Sequence, residues 1–373
     1  MSQSKLLQWL IEMVQRKSSD LYITFGSPPM LRGDNGVEPA DSTALDDAAI
    51  AGVIADFTTN QQRADFERDC ELNMALDLGE MGRFRVNIFK QRQHSGLVIR
   101  QITTQIPSFE QLRLPTLLGE LCCEKRGLVI VVGATGSGKS TSLAAMIDYR
   151  NAKDVGHIIT IEDPIEYVHE HKRCLVTQRE VGIDTHSFEA ALKNSLRQKP
   201  DVILIGEIRD ATTMEYAMNI AETGHLCLAT LHANNANQAI DRILSFYDRD
   251  VHAQVQMNLA MNLRGIMSQR LVRTVSGGRV AALEIMLNQG LVKELIRKGE
   301  VKEIKPVMAS NQSSGMQTFD QALLALWKTG EIAEEVALAE ADNAADLKMS
   351  IQREKMGGAE GLKGVDTSAL ALD

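Results

Sequence analysis

The chain has no Cys-x-x-Cys pair. Its five cysteines, Cys70, Cys122, Cys123, Cys174 and Cys227, are odd in number and irregularly spaced, which argues against a zinc ribbon and a disulfide framework and leaves reduced core residues as the expectation. Its histidines show no metal-ligand spacing that would point to zinc. No apolar run approaches the roughly 20 residues needed to span a bilayer, and the N-terminus lacks the apolar stretch and cleavage site of a signal peptide, so the cytoplasm is the default expectation. Positive charge is not in excess. A net charge of −9 and a pI near 5.5 argue against a nucleic-acid surface spread over the whole chain, and only a local basic groove stays open. Internal repeats are absent. What remains is 373 residues with 44% hydrophobic content, enough for about two domains with packed cores.

The chain is organised around GLVIVVGATGSGKST, residues 127–141. Leu128 to Val132 is an unbroken aliphatic run, short enough for a strand buried on both faces, and glycine stops it abruptly. Gly133, Gly136 and Gly138 free the backbone to curl with its N–H groups inward, and Lys139 and Ser140 open a helix whose N-terminus attracts anions. The spacing G-x-x-x-x-G-K-[ST] is met in full, so Gly133, Ala134, Thr135, Gly136, Ser137, Gly138, Lys139, Ser140 and Thr141 are expected to cradle a nucleoside triphosphate such as ATP. Lys139 would reach the β- and γ-phosphates, and Ser140 would ligate Mg²⁺.

Before this stretch, residues 1–105 read as a small α+β domain. A helix over Ser4 to Lys17 is followed by strand candidates at LYITF and near Met30, a helix over Thr58 to Arg68, and paired strands at Asn73 to Leu78 and Phe84 to Phe89. Residues 106–115, interrupted by Pro107 and Pro115, form a linker. From residue 116 to about 330 strands alternate with helices, the pattern of a mostly parallel sheet covered on both faces, with strands at 128–132, 157–161, 202–205 and 226–230. An extended run at 279–286 and helices near 289–298 and 316–328 follow. Residues 331–373 read as an acidic and polar tail, disordered after Met356.

Four further segments carry chemistry. IEDPIE places Glu162, Asp163 and Glu166 at a strand's C-terminal end, where α/β sheets converge on their ligands; an acidic loop there is also the ordinary form of a solvated surface. In DVILIGEIRD a buried strand ends in Gly206-Glu207, where a Walker B strand usually carries aspartate. His225 precedes and His232 follows the strand in TGHLCLATLHANNA, and a histidine past a strand's end can report loss of a γ-phosphate. Arg83, Arg85, Arg92 and Arg100 lie on paired strands, with Arg83 and Arg85 on one face; such a row is either a solvated face or the arginines a neighbouring domain lends to phosphoryl transfer.

Together these motifs resemble the secretion ATPases of type II and type IV pilus systems, and more closely the type IV pilus retraction branch. SSDLYITFGSPPMLRGDNG looks like that family's N-terminal domain, IEDPIE like its Asp box, LIGEIRD like its atypical Walker B and TGHLCLATLHANNA like its His box. QREVGIDTHSFEAALKNSLRQKPDVILIGE, LIRKGEV and GMQTFDQAL are most similar to the PilU type of the PilT/PilU branch. The resemblance implies a PAS-like N-terminal domain and a RecA-like P-loop domain. It also implies a homo-hexamer in which ATP lies between neighbouring subunits, a PilT-type retraction ATPase and an inner-membrane platform protein of the PilC type as partners, no nucleic-acid partner, and a cytoplasmic place at the inner-membrane base with only peripheral membrane association.

By the same resemblance, Glu166 or Glu162 activates water, Glu207 supports Mg²⁺ and water, His225 and His232 act as sensors, and Arg85 and Arg100 match the arginine fingers. Tyr22 stands where many relatives carry histidine. LVKELIRKG, residues 291–299, replaces the AIRAG segment that the family ties to retraction, which implies an assisting role. The competing expectations are a nucleotide-gated module that stabilises a PilT ring with little hydrolysis of its own, and a DNA or secretion translocase.

Overall fold

In the computed structural model, which describes residues 5–33, 36–102 and 105–357, the first helix is Lys5–Gln15, and it buries Leu6, Trp9, Leu10 and Met13. That three-and-four spacing is one stripe of an α-helix, and it supplies one wall of a core. The core belongs to the first of two units, made of Met1–Ile106, Ile161–His171 and Val176–Ala191. Its sheet has six strands in the order β3-β2-β1-β6-β5-β4, where β1 is Asp20–Thr24, β2 Met30–Gly33, β3 Gly36–Pro39, β4 Glu71–Asp77, β5 Arg83–Gln91 and β6 His94–Ile102. Every neighbouring pair is antiparallel.

Alternation along β5 sends Phe84, Val86 and Ile88 to the core, where they meet Leu21, Ile23, Leu97 and Ile99 and the helices Lys5–Gln15, Asp47–Phe57 and Asn60–Asp69. The last of these helices starts at a capping box, in which the Thr59 hydroxyl accepts from Gln62 N and the Gln62 side chain accepts from Thr59 N. The same alternation leaves Arg83 and Arg85 on the opposite face. Arg100 joins them, because Arg85 on β5 lies directly across from Arg100 on β6.

The second unit is Pro107–Thr160, Lys172–Leu175 and Leu192–Asp373. The second sheet runs β13-β12-β7-β11-β10-β8-β9, with β7 Gly127–Val132, β8 Gly156–Glu162, β9 Cys174–Glu180, β10 Val202–Ile205, β11 Leu226–Leu231, β12 Leu263–Arg273 and β13 Arg279–Leu287. β10, β11, β7 and β12 are mutually parallel, and β13 closes that edge antiparallel to β12. β7, β10 and β11 are buried at every residue, as aliphatic strands covered on both faces must be. Helices start on capping side chains: Asp210 accepts from Thr213 N at 2.7 Å, and Asn235 from Gln238 N at 2.9 Å.

Several elements differ from the sequence reading, which names no counterpart for β3, β9 or the helix Asp47–Phe57. β12, eleven residues long and paired between β7 and β13, has no counterpart among the expected strands, because its apolar run is interrupted by Ser268, Gln269 and Arg270. The expected polar tail is folded over much of its length: Glu334–Glu340 and Ala344–Gly357 are helices. They pack with Phe319–Lys328 around Phe319, Leu323, Ile332, Ala337, Leu347 and Ile351. The expected disorder beyond Met356 falls mostly on residues 358–373, which lie outside the described residues. No described helix is long and apolar enough to cross a membrane.

Candidate nucleotide-binding site

β7 ends at Val132, the loop 133–138 follows, and the 15-residue helix Lys139–Lys153 begins at the last glycine's successor. Two glycines are needed here for different reasons. A Cβ on Gly133 would meet Ser137 Oγ at 2.4 Å and the Gln269 carbonyl at 2.6 Å, so the loop folds back too closely for any side chain. Gly138 sits at φ +86° with Gln269 Nε2 2.7 Å from where its Cβ would be. Lys139 Nζ donates to the carbonyls of Gly133 at 2.7 Å and Ala134 at 2.9 Å, which holds the ammonium over the loop it would share with phosphate. Ala134, Thr135 and Gly136 are exposed, and Ser140 and Thr141 are half-buried on the first helical turn.

Ser137 is the informative residue. Its Oγ is buried and has no hydrogen-bond partner, although an unpaired buried hydroxyl costs about 1–3 kcal/mol. A hydroxyl, a row of loop amides and an ammonium at the N-terminus of a helix form a donor set suited to a polyphosphate. The loop also borders two cavities. One, of about 910 Å³, is lined by Gly138, Thr141, Gln269, Leu271, Arg279 and Glu331 among others and has room for a nucleoside. The other, of about 510 Å³, joins Gly133 and Ala134 to His232, Asn234 and Gln238. Gln269, which the motif reading missed, braces the loop from β12: its Oε1 accepts from the Ser142 hydroxyl at 2.7 Å. No spacing rule would have found it, since its partner lies 127 residues away.

Glu207 follows β10, and two residues converge on its carboxylate. Arg209 Nε donates at 2.7 Å to Oε2, and His232 Nε2 lies 3.0 Å from Oε1. The Thr230 hydroxyl donates to the Gly206 carbonyl and Ile208 N to the Thr230 carbonyl at 2.9 Å, which locks the end of β10 to the end of β11. His225 is elsewhere. Its carbonyl accepts from Gly127 N at 3.1 Å, at the start of β7, whereas the phosphate loop leaves β7 at Val132. Five strand steps separate the two ends, roughly 17 Å, so within this chain His225 does not reach the loop.

The remaining candidates lie in the first unit. Arg100 Nε donates at 2.7 Å to Asp20, which is buried, while the Arg100 side chain is 66% exposed. Arg83 Nε is buried without a partner. Glu180, a carboxylate that is 4% exposed, accepts from Ile165 N at 3.4 Å and lies within electrostatic reach of Arg83 and Arg85. Burial pushes the Glu180 carboxyl up, and the Ile165 N–H and the two arginines offset only part of that rise. Ile165 sits between Glu162 and Glu166, so the same carboxylate steadies the acidic loop. Glu162 accepts from Gln178 Nε2 at 3.3 Å, and Glu166 is exposed.

The sequence profile of the Type II/IV secretion system protein family matches residues 67–294, a span that holds the phosphate loop, the acidic loop, Glu207 and His232. The chain belongs to the type II/IV secretion system protein family. Among members of that family it is 53% identical to the type IV pilus ATPase PilU of Pseudomonas aeruginosa, over 97% of this chain and 94% of that one. It is 42% identical to the same organism's type IV pilus retraction ATPase PilT, over 86% of this chain and 93% of that one. A crystal structure of the pilus retraction motor PilT with bound ADP superposes with a TM-score of 0.87 at 39% identity, covering 92% of this chain and 99% of that one. These matches place the chain in the PilT/PilU branch of the secretion family. Residues 291–298 lie in the helix Gly290–Lys298, which Gly299 ends in the left-handed conformation.

Proposed function

We infer that this protein is an ATP-hydrolysing motor that assists retraction of type IV pili alongside a PilT-type retraction ATPase. The observation that carries this reading is the complete phosphate loop, with Lys139 poised over it and Ser137 Oγ buried beside it without a partner, in a chain with 53% identity to a pilus ATPase. The loop amides, Ser137 and Lys139 hold the β- and γ-phosphates of ATP; Ser140 and Glu207 would hold Mg²⁺, which would supply positive charge against the transferred phosphoryl group. Glu166 or Glu162 orients the attacking water. Arg85 and Arg100, lent by a neighbouring protomer of a hexameric ring, stabilise the leaving charge; such arginines are worth about 10³ to 10⁵ in rate. His232, bonded to Glu207, answers the loss of the γ-phosphate and passes the change to the helix behind it. The ring works in the cytoplasm at the inner-membrane base of the pilus machine, against a platform protein of the PilC type, and the altered segment 291–299 fits an assisting role.

The test is cellular. In a bacterium that depends on this protein for full twitching motility, Lys139→Ala at the native locus is expected to match the deletion in surface spreading and in force-dependent retraction events. Parent-like retraction from the variant overturns the reading.

A further inference from the structure

We propose that Glu284 is a positioning residue for His232, acting by pinning the helix that follows His232 to the strand beside the phosphate loop. The proposal rests on the ATP site described above. Glu284 lies on β13 and is 2% exposed. Its Oε1 accepts from Ala236 N at 2.7 Å and from the Ser268 hydroxyl at 3.0 Å. Ala236 opens the helix Ala236–Leu244, and its N–H is one of the donors that a helix leaves without an internal partner. Asn235 satisfies a different donor, that of Gln238. The carboxylate therefore fixes the first residue of this helix to β12.

β12 makes the connection specific. Ser268 and Gln269 are consecutive, so their side chains leave opposite faces of the sheet. Gln269 takes the Ser142 hydroxyl at 2.7 Å under the phosphate-loop helix, and Ser268 takes Glu284. One strand step thus holds the phosphate loop on one side and the His232 segment on the other. His232 is four residues before Ala236, and its Nε2 lies 3.0 Å from Glu207. Gly133, Ala134, His232 and Asn234 border one cavity of about 510 Å³, so a shift of the Ala236 amide would move His232 relative to the loop. A buried carboxylate costs several kcal/mol to desolvate, and for packing alone an apolar side chain serves as well. Here it supplies an acceptor for two buried donors in two separate elements.

The experiment is a double-mutant cycle on the full chain, using Glu284→Met, which keeps the length of the side chain but removes the acceptor, and Ser268→Ala, which removes one donor and leaves the carboxylate in place. Steady-state ATP hydrolysis, fluorescent-ADP affinity and hydrogen exchange of the amides of 232–237 are read for each variant, alone and with His232→Ala. Both variants are expected to lower kcat about tenfold, to leave ADP affinity within about twofold, to speed exchange at 232–237 but not at 128–132, and to cost nothing further once His232 is alanine. Parent-like kcat, a loss that multiplies with that of His232→Ala, or ADP affinity falling in step with kcat would overturn the proposal. If the parent itself hydrolyses no ATP, the reading of the site fails instead, and the exchange data decide alone: unchanged exchange at 232–237 in both variants refutes the clamp.

Discussion

At the scale of single residues, the site depends on how close the backbone can come to itself. Gly133 is the sharpest case, because the two atoms its Cβ would strike are the Ser137 hydroxyl and a backbone carbonyl of β12, the second of which cannot swing away. Gly133→Ala is therefore expected to open the loop and weaken fluorescent-ADP binding about tenfold or more, roughly 1.4 kcal/mol or above. Parent-like affinity in a titration would show that the loop tolerates the extra atom. Residue-level reading of the sequence found this loop because its chemistry is local: nine consecutive positions carry glycines, cation and hydroxyls. Glu207 and His232 were legible for the same reason, each ending a strand. Gln269 and Glu284 were not, because their partners, Ser142 and Ala236, are distant in sequence and only the fold makes them neighbours. His225 precedes its strand, as the sequence says, and its sensor role came only from the family resemblance; a six-residue run such as Leu226–Leu231 keeps its two ends far apart.

At the scale of elements, periodicity carried the buried strands and failed where side chains pair instead of packing. β7, β10 and β11 are buried throughout and mostly aliphatic, and were recognised; β12 buries Ser268 and Gln269, each with a partner, and so hid its strand character. The C-terminal helices were hidden by composition, since a few apolar residues suffice to seat them. Ile351 is fully buried in that small core, and Ile351→Ala is expected to destabilise the packing of Ala344–Gly357 by about 2–5 kcal/mol, seen as an earlier urea transition and faster exchange in 344–357. Unchanged exchange there would contradict the docking.

The same helices are held by charge. Arg270 on β12 donates to Asp342 at 2.5 Å, stacks over Phe319 at 3.9 Å, and shares Asp342 with Lys305. Burial pushes the Asp342 carboxyl up, but hydrogen bonds from Lys305 and Arg270 and their charges outweigh it, and its pKa lies below the ordinary 3.8. For an acid whose folded pKa is depressed, the stabilisation is complete above the unfolded value and is lost as pH falls through the folded one. Docking of these helices should therefore hold from neutral pH to about 4 and weaken below it. Asp342→Asn should abolish that acid-side slope in thermal melts, and a slope equal to the parent's would assign the effect to other carboxylates.

At the scale of the whole molecule, a net charge of −9 and the phosphate site have to be reconciled, since a triphosphate is itself strongly anionic. The structure does so locally, by concentrating loop amides, Lys139 and a helix N-terminus in one place. The central claim is that this one loop powers the protein. The most direct measurement is phosphate release from ATP by purified protein, with ADP affinity measured in parallel, for the parent and for Lys139→Ala. The account predicts turnover by the parent and loss of at least about a hundredfold in the variant, ~2.7 kcal/mol of transition-state stabilisation. Equal turnover by the two proteins would contradict it.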